Sequence, residues 1–352
     1  MKKGLIIICL SLILVVIQQQ KSPAADHIVI LQYHHFGSET PPSTSVTLEQ
    51  FDQHLRYLEK NNFQVWDLEK SLSYIRDGIA LPENCVAITI DDAYRSIYSE
   101  AYPRLKKRNW PFTVFVASEG VDQRHSIYMT WEQMREMKQA GVTFAAHSHS
   151  HPYLVRQNRN ESQLQWKKRV IDEIKVSRQR LKEELGAESK LFAYPYGEYN
   201  SEIKQIVLEM GLIGIGQHSG SVWPGSDFGA LPRFPMSGEY ASLGSFMEKV
   251  NSLPLPVMKI DPENPVLEAR DFEPTLRIEL AKGDYPLNLN SLSCFASGQG
   301  RMELNWIDRK NLVFAIQALK PLPLGRSRYN CTARHLKANR YYWFSQQWIK
   351  LE

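Results

Sequence analysis

The chain has 352 residues, enough for about two domains, and an apolar content of 43% that is ample for packed cores. Lys2, Lys3 and Lys21 supply most of the formal net charge of +4; the 39 basic side chains that remain face 38 acidic ones. With the two signs balanced, nothing in the composition asks for nucleic acid as a partner.

Residues 1–25 carry the pattern of a targeting segment: Lys2-Lys3, an apolar stretch over 5–17, polar Gln18-Gln19-Gln20 and the small-residue site Ser22-Pro23-Ala24. The pattern predicts export to the periplasm or the exterior, with the segment either removed or kept as an N-terminal membrane anchor, although the stretch is short for a span. Beyond Cys9 the cysteines are Cys85, Cys294 and Cys331. In an oxidising compartment the last two are natural partners, and Cys85, heading an apolar run, reads as a buried thiol.

From His27 onward short apolar runs alternate with amphipathic helices, the signature of a parallel α/β sheet or barrel. A strand over 27–31 ends in Gln32-Tyr33-His34-His35. Thr47-Leu48-Glu49-Gln50 is a capping box opening a helix with Phe51, Leu55 and Leu58 on one face. Asp67 caps the next helix, which Gly78 ends. The run over 86–90 is a buried strand, followed by a helix through Tyr98 and Leu105 and a strand over 112–116. Thr130-Trp131-Glu132-Gln133 is a second capping box, and Gly141 closes its helix before the strand over 142–146. A long charged helix is expected over 160–186, with Leu164, Ile171, Ile174, Leu181 and Leu185 as its core stripe. A strand over 190–193, the loop 194–197, a helix from about Asn200 and a strand-like run over 212–215 follow.

The chemistry gathers where these strands end, which is where ligands bind in such folds. The 86–90 run delivers two adjacent carboxylates, Asp91 and Asp92, whose mutual repulsion calls for a cation or a shared proton. Spacing alone leaves open an Asp N-cap on the next helix. The run over 142–146 ends in alternating histidines, His147, His149 and His151, and one carboxylate with two imidazoles is a zinc ligand set. On an extended chain residues i, i+2 and i+4 share a face, so which histidines converge depends on the backbone. His34, Tyr196 and His218 fall at other strand ends.

Thr89-Ile90-Asp91-Asp92-Ala93 resembles the first motif of the polysaccharide deacetylases, the NodB-homology or carbohydrate esterase family 4 proteins. His147-Ser148-x-x-His151-Pro152 resembles the second and Tyr194-Pro195-Tyr196-Gly197 the third. Tyr33-His34 and the surroundings of Trp131 are closest to the branch acting on exported poly-β-1,6-N-acetylglucosamine. The resemblance covers roughly 27–254 and implies a distorted (β/α) barrel of the NodB type.

It further implies that Asp92, His147 and His151 hold a divalent metal, zinc foremost, with Asp91 as the base that activates the attacking water. The backbone N–H of Tyr196 would stabilise the oxyanion, His34 and Tyr194 would bind substrate, and a late histidine, His218, would be the acid, with His34 as its rival. Many members carry an arginine in the third motif to orient the base; here Ala193 stands there, and Arg233 could supply the charge from another loop. The implied activity is N-deacetylation of an amino-sugar polysaccharide. Peptidoglycan, chitin fragments or an O-acetylated glycan are alternative substrates, and a non-catalytic glycan-binding protein is the alternative class.

Proline-rich 254–265 reads as a linker separating a domain over 26–253 from one over 266–352. The tail, with alternating runs such as 275–280 and 312–316 broken by Gly and Pro, predicts a small β-sandwich. Its aromatics Tyr341, Tyr342, Trp343, Phe344 and Trp348 are expected mainly in the core rather than as a sugar platform.

Overall fold

A computed structural model describes residues 24–268 and 271–351, so the targeting pattern over 1–23 lies outside the described residues. Six parallel strands frame the N-terminal part: β1 (Ile28–Tyr33), β2 (Cys85–Ile90), β3 (Thr113–Val116), β4 (Thr143–Ala146), β5 (Leu191–Ala193) and β6 (Ile213–Ile215). They lie side by side in chain order. Nearly every residue in them is buried, because helices cover the sheet; hence the strands read as continuous apolar runs. Among the described residues no helix is long and apolar enough to cross a membrane.

The crossovers start where the caps are. Thr47, Thr130 and Ser162 each close a full capping box, opening helices Leu48–Lys60, Trp131–Gln139 and Gln163–Leu185. The last helix starts later than expected; of the expected stripe it buries Ile174, Leu181 and Leu185, with Ile171 partly buried beside them, and it adds Trp166, Val170 and Ser177. Leu164 is exposed. Ser162 sets the first turn, and counting from there at 3.6 residues per turn puts Trp166 against the sheet, its indole N–H on the Leu154 carbonyl at 2.8 Å.

The sheet curls, and an irregular segment bridges its two ends. Gly214 donates to the carbonyl of Phe228 and Leu231 to that of Gly214, tying the segment to β6. A few residues on, β8 (Phe234–Pro235) pairs parallel with β1 at Leu31 and Gln32, after β7 (Ser221–Val222) has paired antiparallel with its start. The result is a distorted barrel with a seam over 228–236, and Arg233 lies in that seam.

The C-terminal third is a sandwich of two sheets. One contains β9 (Leu253–Pro254), β12 (Ser293–Ala296), β13 (Gly300–Met302), β16 (Gly325–Arg334) and β17 (Tyr341–Lys350). The other contains β10 (Val257–Asp261), β11 (Thr275–Leu280), β14 (Asn305–Asp308) and β15 (Val313–Gln317). Strict alternation along β11 buries Leu276, Ile278 and Leu280 in the shared core. Half of the stretch expected as a linker is therefore strand. Both β9 and β10 are sheet edges, where proline is tolerated because only one side of the strand needs partners. Cys294 and Cys331 face each other across β12 and β16 and are disulfide-bonded; Cys85 is a buried free thiol. Of the tail aromatics, Tyr342 and Trp348 are buried and Trp343 packs edge-on against Phe234 of the barrel seam, at 5.5 Å between ring centres.

Candidate active site

Strands β1, β2, β4 and β5 end along one rim of the barrel, and the rim carries the polar groups. Asp91 continues the β2 ladder, its N–H donating to the Tyr33 carbonyl at 2.9 Å, and it is fully buried. From the seam, Arg233 grips it with both terminal nitrogens, Nη1 donating to Oδ1 at 2.7 Å and Nη2 to Oδ2 at 2.8 Å. Gln32 Nε2 adds a bond to Oδ2 at 2.8 Å, and His34 Nε2 stands 3.8 Å from the same oxygen. The fork is itself held, with Arg233 Nε on the Gly216 carbonyl (2.9 Å) and Nη1 on Thr89 Oγ1 (3.1 Å). Burial alone would raise the Asp91 pKa; Arg233 above all, with His147 and His34, outweighs it and holds the carboxyl below its ordinary range. A two-point pair also fixes the carboxylate plane.

Asp92, His147 and His151 converge so that one ligand atom from each lies within 4.8 Å of the others. Asp92 Oδ1 is 3.3 Å from Nε2 of each histidine, and the two Nε2 atoms are 3.2 Å apart. His147 Nδ1 faces the Ala193 carbonyl at 2.8 Å. A carbonyl only accepts, so Nδ1 carries the proton and Nε2 of the neutral ring presents a lone pair to the cluster. Asp92 Oδ1 is buried without a hydrogen-bond partner. Three converging acceptors with one orphaned oxygen are what a divalent cation satisfies, and the set suits zinc. Burial opposes a charged His147, yet Asp92 and Asp91 overcome it and raise its pKa, so the carboxylates that favour a cation there also favour a proton that competes with it, whereas burial and His147 push His151 down to about 4.

Local backbone decides which histidine joins. Residues 147–151 are not extended: Ser148 (φ 64°) and His151 (φ 55°) are left-handed and Ser148 Oγ accepts the His151 N–H at 3.0 Å, folding the two rings together. His149 goes elsewhere, its Nδ1 2.9 Å from Ser118 Oγ. Asp92 (71°), Ala93 (59°) and Tyr196 (58°) are left-handed too. Each such non-glycine residue costs roughly 1–3 kcal/mol, and their concentration at one rim marks a place held in shape by its surroundings.

Aromatic faces flank the cluster. Tyr94 stacks on His35 (3.5 Å) and Tyr128 (5.4 Å) on one side; on the other, exposed Tyr153 stacks on Tyr196 (3.9 Å), whose ring meets His151 edge-on at 4.5 Å.

Two expected residues lie apart from this chemistry. Tyr194 is still in the sheet, its N–H on the Ile215 carbonyl, and its fully buried ring ends in a hydroxyl that donates to the Gly229 carbonyl at 2.6 Å, so it braces the seam and offers substrate nothing. His218 accepts the Arg233 N–H on its backbone carbonyl and lines a cavity of about 500 Å³ between barrel and sandwich, with Trp223 and Trp343. The histidine against Asp91 is His34. Gln32 was missed; its one signal is its place at the end of a buried strand, where a polar side chain needs a partner.

A curled parallel barrel with paired aspartates and two converging histidines on its carboxyl rim is the arrangement of a NodB-type domain. Residues 78–215 match the family model "Polysaccharide deacetylase". The chain is 28% identical over 200 residues to the poly-beta-1,6-N-acetyl-D-glucosamine N-deacetylase of Staphylococcus aureus, covering 55% of this chain and 69% of that one. It is also 28% identical over 174 residues to YxkH of Bacillus subtilis, and there the chain spans only 57% of its relative's length. The Streptococcus pyogenes deacetylase PplD, solved in complex with acetate, superposes with a TM-score of 0.57 at 25% identity, covering 64% of this chain and 98% of that one.

Proposed function

We propose that this chain is an exported, metal-dependent hydrolase that removes N-acetyl groups from an amino-sugar polysaccharide of the poly-β-1,6-N-acetylglucosamine type, releasing acetate. The observation that carries this is an adjacency: a lone-pair cluster fit for a divalent ion stands beside a separate carboxylate that an arginine keeps anionic and oriented. A metal site alone has no use for the second acid.

Asp91 Oδ1 accepts one bond from Arg233, which leaves it a lone pair for the proton of the attacking water. Arg233 keeps Asp91 ionised but weakens it as a base, so the water must also be acidified and the acetamide carbonyl polarised, which is the chemistry a divalent ion held by Asp92, His147 and His151 supplies. As the tetrahedral adduct collapses, the departing sugar amine needs a proton, and His34 Nε2, beside Asp91, is placed to give it. The Tyr196 N–H, in a left-handed turn next to His151, is the oxyanion donor the family resemblance implies. The stacked pairs Tyr94–His35 and Tyr153–Tyr196 offer faces for pyranose rings. Export is supported by the leader pattern and by the disulfide, at home in an oxidising compartment.

The test is acetate release from a panel of acetylated poly-β-1,6-glucosamine, peptidoglycan, chitin oligomers and an O-acetylated glycan, with chelator and zinc add-back. Release from the first, abolished by chelator, is expected; Asp91→Asn should bind zinc normally yet lose about 10²- to 10⁴-fold in rate. Release that chelator leaves untouched overturns the reading.

A further inference from the structure

The loop 194–198 is fixed from two sides. On the barrel side, the carbonyl of Ala193, just before it, receives Nδ1 of His147. On the other side the partners come from the sandwich. Gln347 of β17 donates Nε2 to the Gly197 carbonyl at 2.9 Å in a buried bond, and Arg326 of β16 donates Nη1 to the Tyr196 carbonyl. Arg326 also reaches Gln217 Oε1 (3.3 Å), with its Nε 3.8 Å from Oε1 of buried Glu198. Arg328 Nη2 holds the Gln217 carbonyl at 2.7 Å, and Gln217 in turn closes over Gly197, where an added Cβ would lie 2.5 Å from its side chain.

These bonds fall on two consecutive carbonyls, so they fix the two peptide planes that follow Tyr196 in its left-handed turn. Tyr196 has no steric preference for that turn; inside the loop only two backbone bonds close it, from the Gly197 N–H to the Tyr194 carbonyl (2.8 Å) and from the Glu198 N–H to the Pro195 carbonyl (3.1 Å), and the sandwich bonds add to them. About two thirds of this chain accounts for nearly all of PplD, so a third of the chain has no counterpart there. We propose that Arg326 and Gln347 are positioning residues for the Tyr196 turn, making the sandwich a working part of the active site rather than an appended glycan-binding module. The inference rests on the deacetylase reading above for its consequence in rate, but not for the clamp itself.

The test uses the full chain loaded with zinc, carrying Gln347→Met, which keeps volume and removes the donor, or Arg326→Ala, a partly exposed position where folding is not at risk. Two readouts are compared with wild type. Hydrogen exchange of peptides spanning 194–198 should quicken in both variants, whatever the activity. With acetylated poly-β-1,6-glucosamine, kcat should fall about 10- to 100-fold, as for a misplaced catalytic group, with KM and zinc content unchanged. Unchanged exchange in both variants overturns the clamp, and quicker exchange with unchanged kcat overturns its role in catalysis. A wild-type protein inactive on every glycan overturns the deacetylase reading instead, while the exchange arm still decides whether the clamp exists.

Discussion

Replacing Arg233 by Met should expose how much of the active site is held by one ion pair. The pair is fully buried on both sides, and the side chain makes two bonds to Asp91 with further ones to Thr89 and Gly216. Two charge-assisted bonds at about 1.5–3 kcal/mol each bound the loss at about 3–6 kcal/mol. That agrees with the roughly 3–5 kcal/mol by which a buried pair destabilises a protein when one partner is removed, most of it the burden of the charge left behind.

The sign with pH follows from Asp91. In the wild type its folded pKa is depressed, so its stabilising contribution is present above the unfolded value of about 3.9 and is lost as pH falls through the folded value. Without Arg233, burial raises the folded pKa, so the variant's deficit is largest at neutral pH and shrinks on acidification. Urea unfolding from pH 4 to 8 measures this. The double variant Arg233→Met with Asp91→Asn should recover most of the loss, because the stranded charge is gone. Additive losses in the double variant, or a deficit independent of pH, would refute the reasoning.

Three further outcomes are expected. His34→Gln should lower kcat sharply while His218→Gln leaves it near wild type, measured by acetate release; the reverse would return the acid role to His218. Cys294→Ser with Cys331→Ser opens a link across 37 residues, for which chain entropy predicts a loss of up to about 3.8 kcal/mol in denaturant unfolding. His54 is buried between Phe246, stacked at 4.0 Å, and the Ala241 carbonyl, and burial pushes its pKa down to about 4. The unfolded chain therefore binds a proton the folded one refuses, stability drops as pH falls from about 6.5 towards 4, and His54→Gln should flatten that slope in thermal melts.

The barrel strands and the aspartates and histidines at their ends were readable because a buried parallel strand leaves a continuous apolar run, and the residue after the run stands on the rim. The convergence of His147 with His151 was legible only through the motif they resemble, since the turn through Ser148 depends on a single side-chain bond that spacing does not encode. Trp166 displaced Leu164 from the core because the register of a helix is set by its cap, and Ser162 had not been read as one. The strands β9 and β10 hid behind prolines that forbid helix but not a sheet edge. Least legible were Gln32, Arg326 and Gln347. Their partners lie 59, 130 and 150 residues away along the chain, and no local pattern records such contacts.

The seam has a consequence for how the molecule comes to life. The irregular stretch that joins the barrel carries few ladder hydrogen bonds and is held mainly by its buried side chains, Leu231, Arg233 and Phe234. Arg233 travels with that stretch, so a molecule whose wall has parted loses the cation that keeps Asp91 charged and the carboxylate takes up a proton. Closure of the seam and the charge of the proposed base are thus one event: the carboxylate is held anionic only where the wall is joined.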